Sequence, residues 1–280
     1  MKIRTLLRKG EEHKIFCQDF IFQKSIDQWT IAAIFDGCSN RDNEEMSNES
    51  QFVSNLSAKI LNIIIPRLIN YKRFDPSIFA YDISKTYFKL LLHFKEELAL
   101  TEDELLTTMI LLVYNNENKK GRIIAFGDGY IRIDGKVMDI ENGKVTPENP
   151  EGGVYYPIQY IEDIFGEDTE YSDRKFEDFI ATHPDQWFFH DPKDIIIASD
   201  GITSWKNIKN KNPNISSPEE FITTDKNFQE LPLMLTRKYN QLVYDGWFTV
   251  DDISIVRLIE GDEIINKESI KEINQVPASL

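Results

Sequence analysis

A set of aspartates stands where the chain leaves or enters apolar runs. Asp36 closes the run 29–35 (Trp-Thr-Ile-Ala-Ala-Ile-Phe), Asp200 follows 194–198, and Asp251 precedes the last run, 252–258. Asp19 ends a short β-prone stretch at 14–17, and Asp128 follows the run 121–126 within Phe-Gly-Asp-Gly. An ionised carboxylate at the end of a buried strand is costly unless it is paired, hydrated or bound to a cation. Any one of these aspartates reads equally well as a turn residue, and Asp134-Gly135 reads as the primed turn of a tight hairpin. Several of them converging from neighbouring strands would instead make an all-oxygen site for Mg²⁺ or Mn²⁺.

The elements that must position them follow from apolar periodicity. Residues 29–35 fit a strand buried on both faces. Residues 47–66 carry a helical stripe of Phe52, Leu56, Ile60, Ile63 and Ile64, stopped near Pro66. A second stripe, Phe88, Leu91, Leu92 and Leu98, predicts an amphipathic helix over 84–98. Strands are expected at 107–114 and 121–126 around a 115–120 turn, then a hairpin of 130–133 and 136–138. Residues 141–191 are the least regular and read as sheet plus a long variable insertion or flap, and the aromatics Trp187, Phe188 and Phe189 within them as sheet or core rather than a substrate groove. Strand 194–198 follows, then a helical stretch 218–243 with Leu231, Leu233, Met234, Leu235 and Leu242, where Pro232 must sit near a helix start. This order predicts antiparallel sheets flanked by helices. With no repeat and no Gly/Ser/Pro linker, one domain over 1–262 is expected, followed by a charged tail, 263–280.

Composition bounds the partners. A chain of 280 residues with 41% apolar and 28% charged residues can fill a core and coat it. Its net charge of −15 repels phosphate backbones and anionic membranes, so neither a nucleic-acid nor a membrane partner is expected. A small anionic group is still admissible, because a bound divalent ion reverses the sign locally. The longest apolar run, Met109 to Tyr114, is far short of the roughly 20 residues that cross a bilayer. The N-terminus has no hydrophobic signal region, and two cysteines make no disulfide framework, so a reduced, cytoplasmic protein is expected.

Taken in order, Asp19, Phe35-Asp36-Gly37, Gly127-Asp128, Ala198-Ser199-Asp200-Gly201 and Asp251-Asp252-Ile253-Ser254 resemble the blocks of the metal-dependent serine/threonine protein phosphatases of type 2C, in a divergent, prokaryotic form. The matched blocks run from about residue 14 to 257. The resemblance implies an α+β fold: a four-layer α-β-β-α sandwich of two mainly antiparallel sheets, with helices outside and a two-metal centre at one end. It makes Asp36 the bridging ligand and Gly37 a carbonyl ligand, with Asp200 and Asp251 on one ion. Asp19 matches a position that contacts metal directly or through water, and Asp128 one that joins Asp200 at a third, weaker site. The implied cofactors are two Mg²⁺ or Mn²⁺ ions. The implied partner is a phosphorylated protein, opposing a serine/threonine kinase.

Departures from the family pattern lie around this set. The family's phosphate-binding arginine falls on Lys14, which keeps the charge but loses the bidentate fork. Many members carry His after the first Asp-Gly, proposed as general acid; here it is Cys38, a poor proton donor that packs or lines the pocket. The usual Asp-Asn is Asp251-Asp252, adding a negative charge near the site, and Gln18 replaces the commoner Glu. These changes also fit a regulatory binding module that keeps the fold without turnover, and a small-molecule phosphatase is a weaker alternative. Other phosphatase chemistries fail on spacing. Six residues after Cys17 and Cys38 come Gln23 and Glu44, so neither cysteine has the arginine a thiol mechanism needs. Two residues after Asp36 comes Cys38, not the second aspartate of a haloacid-type site. His13, His93, His183 and His190 make no zinc motif, and no P-loop occurs.

Overall fold

The computed structural model describes residues 1–13, 16–38, 47–69, 75–140, 154, 156–159, 161, 173–182, 184–207, 215, 217–224 and 233–260. Its strands are β1 (Lys2–Arg8), β2 (Asp19–Ile26), β3 (Trp29–Asp36), β4 (Met109–Asn115), β5 (Lys120–Phe126), β6 (Tyr130–Ile133), β7 (Lys136–Met138), β8 (Asp185–His190), β9 (Asp194–Ala198), β10 (Trp205–Asn207), β11 (Trp247–Thr249) and β12 (Ile253–Ile259). The helices are α1 (Ser47–Ile69), α2 (Pro76–Glu97), α3 (Asp173–Thr182), α4 (Pro218–Thr224) and α5 (Met234–Tyr244).

Two five-stranded antiparallel sheets, ordered β2-β3-β4-β5-β8 and β1-β12-β9-β6-β7, lie face to face. Strand alternation sorts their residues into three apolar layers. In β3, Ile31, Ala33 and Phe35 pack under α1, α2 and α3, while Ala32 and Ile34 face the second sheet. That inner layer continues through Ile110, Leu112, Ile131, Ile195, Ile197, Val256 and Leu258. On the far side Leu6, Ile196 and Ile255 pack against α4 and α5. The chain is thus an α+β, four-layer α-β-β-α sandwich, with β10 and β11 as a separate two-stranded ribbon.

Several elements differ from expectation for identifiable reasons. The buried stripe of α1 is Val53, Ser57, Ile60, Leu61 and Ile64, whereas Phe52 and Ile63 are each 43% exposed. The inner face contains serines: Ser54 donates to the Gln18 carbonyl (2.5 Å), and Ser57 shares a hydrogen bond with the Tyr87 hydroxyl (2.8 Å). A stripe drawn through apolar residues therefore comes out rotated. The segment Ser50–Ile69 is long and apolar enough by composition to span a membrane, but its inner face is core. Pro66 lies inside α1, which runs one turn further to Ile69. Helix α2 starts earlier than its stripe because Asp75 caps it, accepting from the Ser77 N–H at 2.7 Å, with Pro76 in the first turn; Leu98 falls just past its end and is exposed.

Asp19 opens β2 rather than closing a strand over 14–17, and Lys14 lies outside the described residues. β1, with charges spread through it, is paired along its whole length with β12. The single helical stretch 218–243 is two helices, α4 and α5; Leu231 and Pro232 lie outside the described residues, as does the tail 263–280. Within 141–191, β8 completes the first sheet, with Trp187 and Phe189 packed inward and Phe188 exposed beneath the Arg122 guanidinium (4.7 Å). Most of the remainder lies outside the described residues, so the flap does too. Asp134 and Gly135, at φ 49° and 86°, form the expected turn.

Candidate metal centre

The alternation that builds the core also delivers the aspartates. After Ala32 and Ile34, the next inner-face residue of β3 is Asp36, directly opposite Asp19 of β2. In the second sheet, Ile195 and Ile197 lead to Ser199, while Val256 leads back to Ser254 and Asp252. The two sheets meet here through hydrogen bonds. The Ser199 hydroxyl donates to Asp19 Oδ2 at 2.7 Å and accepts the Ser254 N–H at 3.0 Å. Asp19 is 1% exposed, and its Oδ1 is buried without a hydrogen-bond partner.

The backbone of Asp36 is pinned by β4: its carbonyl accepts the Thr108 N–H (2.8 Å) and the Thr107 hydroxyl (2.9 Å). Gly37 continues the pairing, donating to the Gln18 carbonyl at 3.3 Å and bridging to Thr107. Asp128 sits between Gly127 and Gly129 in the loop after β5, and a Cβ on Gly129 would come 2.9 Å from the Ala198 carbonyl. Asp200 begins a short 3₁₀ turn whose Gly201 nests against the late block; a Cβ there would lie 1.7 Å from the Asp252 carbonyl oxygen. Asp251 Oδ1 accepts the Asp252 N–H (2.8 Å) and stands 3.7 Å from His13 Nε2.

These groups act on one another electrostatically. The Asp36 carboxyl is held well above the usual carboxylate range, first by burial and then by the charges of Asp19, Asp200, Asp251 and Asp128. Burial, partly offset by the Ser199 hydrogen bond, lifts Asp19 to about 7. Asp128 rises to about 6 through burial and the charge of Asp200, and burial also raises Asp251. Charges from Asp19, Asp200, Asp251 and Asp128 thus reach Asp36, and the charge of Asp200 reaches Asp128 and Asp251 as well.

Among the described residues, no three His, Cys, Asp or Glu side chains close into a ready ligand group. The Asp19 carboxylate accepts from Ser199, and Asp251 accepts from the Asp252 N–H and lies near His13. The donor set nonetheless fits a hard divalent cation. It is all oxygen and multiply anionic, and it includes the orphaned buried oxygen of Asp19.

Asp252 is itself hydrogen-bonded, and its charge adds to those that raise Asp19 and Asp251. It is 1% exposed and accepts the N–H groups of Gly10 (2.7 Å) and Gln18, while His13 Nδ1 approaches its Oδ2 at 2.9 Å. The pKa of His13 is raised, chiefly by that contact against the effect of burial. Asp252 therefore ties the β1–β2 connection to the start of β12. Sequence spacing passed over His13, which has no motif of its own, and the Ser199–Ser254 pair. It also passed over Tyr156, whose phenol is pushed upward in pKa by burial, with smaller effects of Cys38, Asp128 and Asp36, and no local signal marked it.

No protein-family model matches the sequence, and no curated protein is similar to it by sequence. Solved structures are similar in fold. A serine/threonine phosphatase of S. agalactiae matches with a TM-score of 0.59 at 14% identity, covering 92% of this chain and 99% of that one. A bacterial serine phosphatase matches at 0.54 and 13% identity, covering 94% and 100%. The catalytic domain of the serine/threonine protein phosphatase PstP, in complex with two manganese ions, matches at 0.52 and 11% identity, covering 91% and 96%. The sandwich is thus the fold of bacterial serine/threonine phosphatases.

Proposed function

We propose that this chain is a cytoplasmic, Mg²⁺- or Mn²⁺-dependent phosphatase acting on phosphoserine and phosphothreonine in proteins, opposing a serine/threonine kinase. The observation that carries this reading is the convergence of Asp19, Asp36, Asp128, Asp200 and Asp251 at one end of a sandwich shared with serine/threonine phosphatases. Asp36, at the centre of the set, would face both ions with the Gly37 carbonyl beside it. Asp200 and Asp251 would hold one ion, Asp19 would contact metal directly or through water, and Asp128 with Asp200 would take a third, weaker ion. When bound, the ions would supply Lewis-acid activation of water and neutralise phosphate charge. The protein's own part is to hold the carboxylates on rigid strand ends. Ser199 fixes Asp19, Thr107 and Thr108 fix the Asp36 backbone, and Asp252 with His13 fixes the loop before β2. Lys14, in that loop, would supply the cation that meets phosphate.

The test is hydrolysis of p-nitrophenyl phosphate and of a phosphothreonine peptide with Mn²⁺, with Mg²⁺ and with chelator, beside Asp36→Asn. Metal-dependent turnover absent from the variant is expected; turnover that survives Asp36→Asn would overturn the assignment. Metal binding without any turnover would instead establish a regulatory binding module on the same fold.

A further inference from the structure

The helix-covered face of the second sheet carries a row of arginines remote from the aspartates. Strand register puts Arg4 of β1 directly opposite Arg257 of β12, Arg257 opposite Ile196 of β9, and Ile196 opposite Arg132 of β6. Leu6, Ile255 and Tyr130, two residues away along their strands, belong to the core under α4 and α5, so alternation sends all three arginines to that face. Arg257 lies five residues beyond Asp252, about 17 Å at strand rise, and on the face opposite to Ser254. Arg257 is 1% exposed and binds Asp194 through Nε and Nη2, both at 2.7 Å, but its Nη1 is buried without a hydrogen-bond partner. Arg4 donates from Nη1 to the Ile3 carbonyl (2.9 Å), and its Nε is likewise buried and unpartnered. Arg132 Nη1 meets the Thr223 carbonyl at the end of α4 (2.9 Å). Among the described residues, the three guanidiniums make a single ion pair, Arg257 with Asp194.

Like charges directly opposite one another on a sheet face repel, and a buried N–H without an acceptor is costly. An anion between Arg4 and Arg257 relieves both. The way in is at the sheet edge: β1 is the outermost strand, and Arg4 is half-buried there. Its guanidinium is held only by the carbonyl of the neighbouring residue, so it can turn to admit an anion above Arg257. We infer that Arg4 and Arg257 form a binding site for a phosphate-class oxyanion, which accepts from Arg4 Nε and Arg257 Nη1. Guanidinium donors match the oxygens of such an anion, and charge assistance strengthens each bond. This site lies apart from the carboxylate centre and does not depend on the phosphatase reading.

Orthophosphate binding to the full chain is measured in chelator, by calorimetry and by thermal unfolding against chloride at matched ionic strength. Without metal the aspartate end is anionic and repels phosphate, so binding reports on the arginines. Orthophosphate is expected to raise the melting temperature of the wild type above the chloride control. Arg4→Gln should bind about 10-fold more weakly, as for a lost hydrogen bond to a charged group. Arg4→Lys keeps the charge but not the fork, and decides the matter if the glutamine variant does not fold; it should still lose about 2–10-fold. Glycerol phosphate is run in parallel. Binding of both anions marks a site open to phosphorylated small molecules, and binding of orthophosphate alone a site for the free ion; either result upholds the site. Orthophosphate that acts on the wild type no more than chloride does overturns the inference. Affinity unchanged in the Arg4 variants also overturns it, by placing the anion elsewhere. Turnover with Mn²⁺ is a separate measurement, so the phosphatase reading stands or falls independently.

Discussion

Asp36→Asn should stabilise the metal-free protein, although it is expected to abolish activity. Asp36 is the carboxyl most opposed by its surroundings, through burial and four like charges. Its folded-state pKa lies above the unfolded value, so the folded state holds the proton more tightly. The resulting penalty is absent near pH 4 and grows as pH rises, by at most about 1.4 kcal/mol per pH unit, until the folded pKa is passed. Between about pH 4.5 and pH 8 that sets a ceiling of roughly 5 kcal/mol; water entry and relaxation at a half-buried site reduce the realistic gain to about 2 kcal/mol. For a chain of this size that is about 4–8 °C in melting temperature. Asparagine keeps the volume and cannot ionise. Thermal unfolding in chelator should therefore show the variant more stable at pH 8 and level with the wild type at pH 4.5. Saturating Mn²⁺ should reverse the order at pH 8: at 100 times Kd the wild type gains about 2.7 kcal/mol, which the variant lacks. A variant less stable than wild type in chelator at pH 8, or a gain equal at both pH values, would refute the convergence of charge on Asp36.

The supporting groups should behave differently. Ser199→Ala leaves both the Asp19 carboxylate and the Ser254 N–H without their shared partner. It should cost about 1–3 kcal/mol in urea unfolding at pH 8. The cost should shrink towards pH 5, because Asp19, with a pKa of about 7, is then protonated; a pH-independent loss would count against this. Far from the site, Arg257 is 1% exposed and paired to Asp194 by two hydrogen bonds of 2.7 Å. Asp194→Ala strands that guanidinium and should cost about 3–5 kcal/mol, with Mn²⁺ affinity unchanged by calorimetry.

Much of this was legible in the residues because strand period and strand ends are local properties. Asp36, Asp200 and Asp251 adjoin apolar runs whose alternation decides which face each next residue joins, so the carboxylate set could be read in order. The misreadings arose where burial does not follow hydrophobicity. Helix α1 hides Ser54 and Ser57 and exposes Phe52, because small hydroxyl residues let it sit close to the Gln18 carbonyl and Tyr87. β1 carries Lys2, Arg4 and Arg8, and its place in the sheet depends on long-range pairing with β12, which no local pattern encodes. Tyr156 could not be found for the same reason, since Asp36 and Asp128, whose charges reach it, belong to other elements.

Asp252 shows how a change next to a ligand position can be absorbed. Read as sequence, it puts a second negative charge beside Asp251. In the structure its carboxylate is buried, meeting two backbone N–H groups and His13. Hydrogen bonds to an ionised acceptor are about twice as strong as neutral ones, so the extra charge strengthens the attachment of the β1–β2 loop. That loop carries both His13 and Lys14. If Lys14 meets phosphate as proposed, the added charge of Asp252 acts through this anchoring as well as through its field on Asp19 and Asp251. Asp252→Asn should then loosen the loop and raise KM for phosphopeptide while leaving Mn²⁺ affinity within about 2-fold, whereas a ligand at position 252 would lose metal by orders of magnitude.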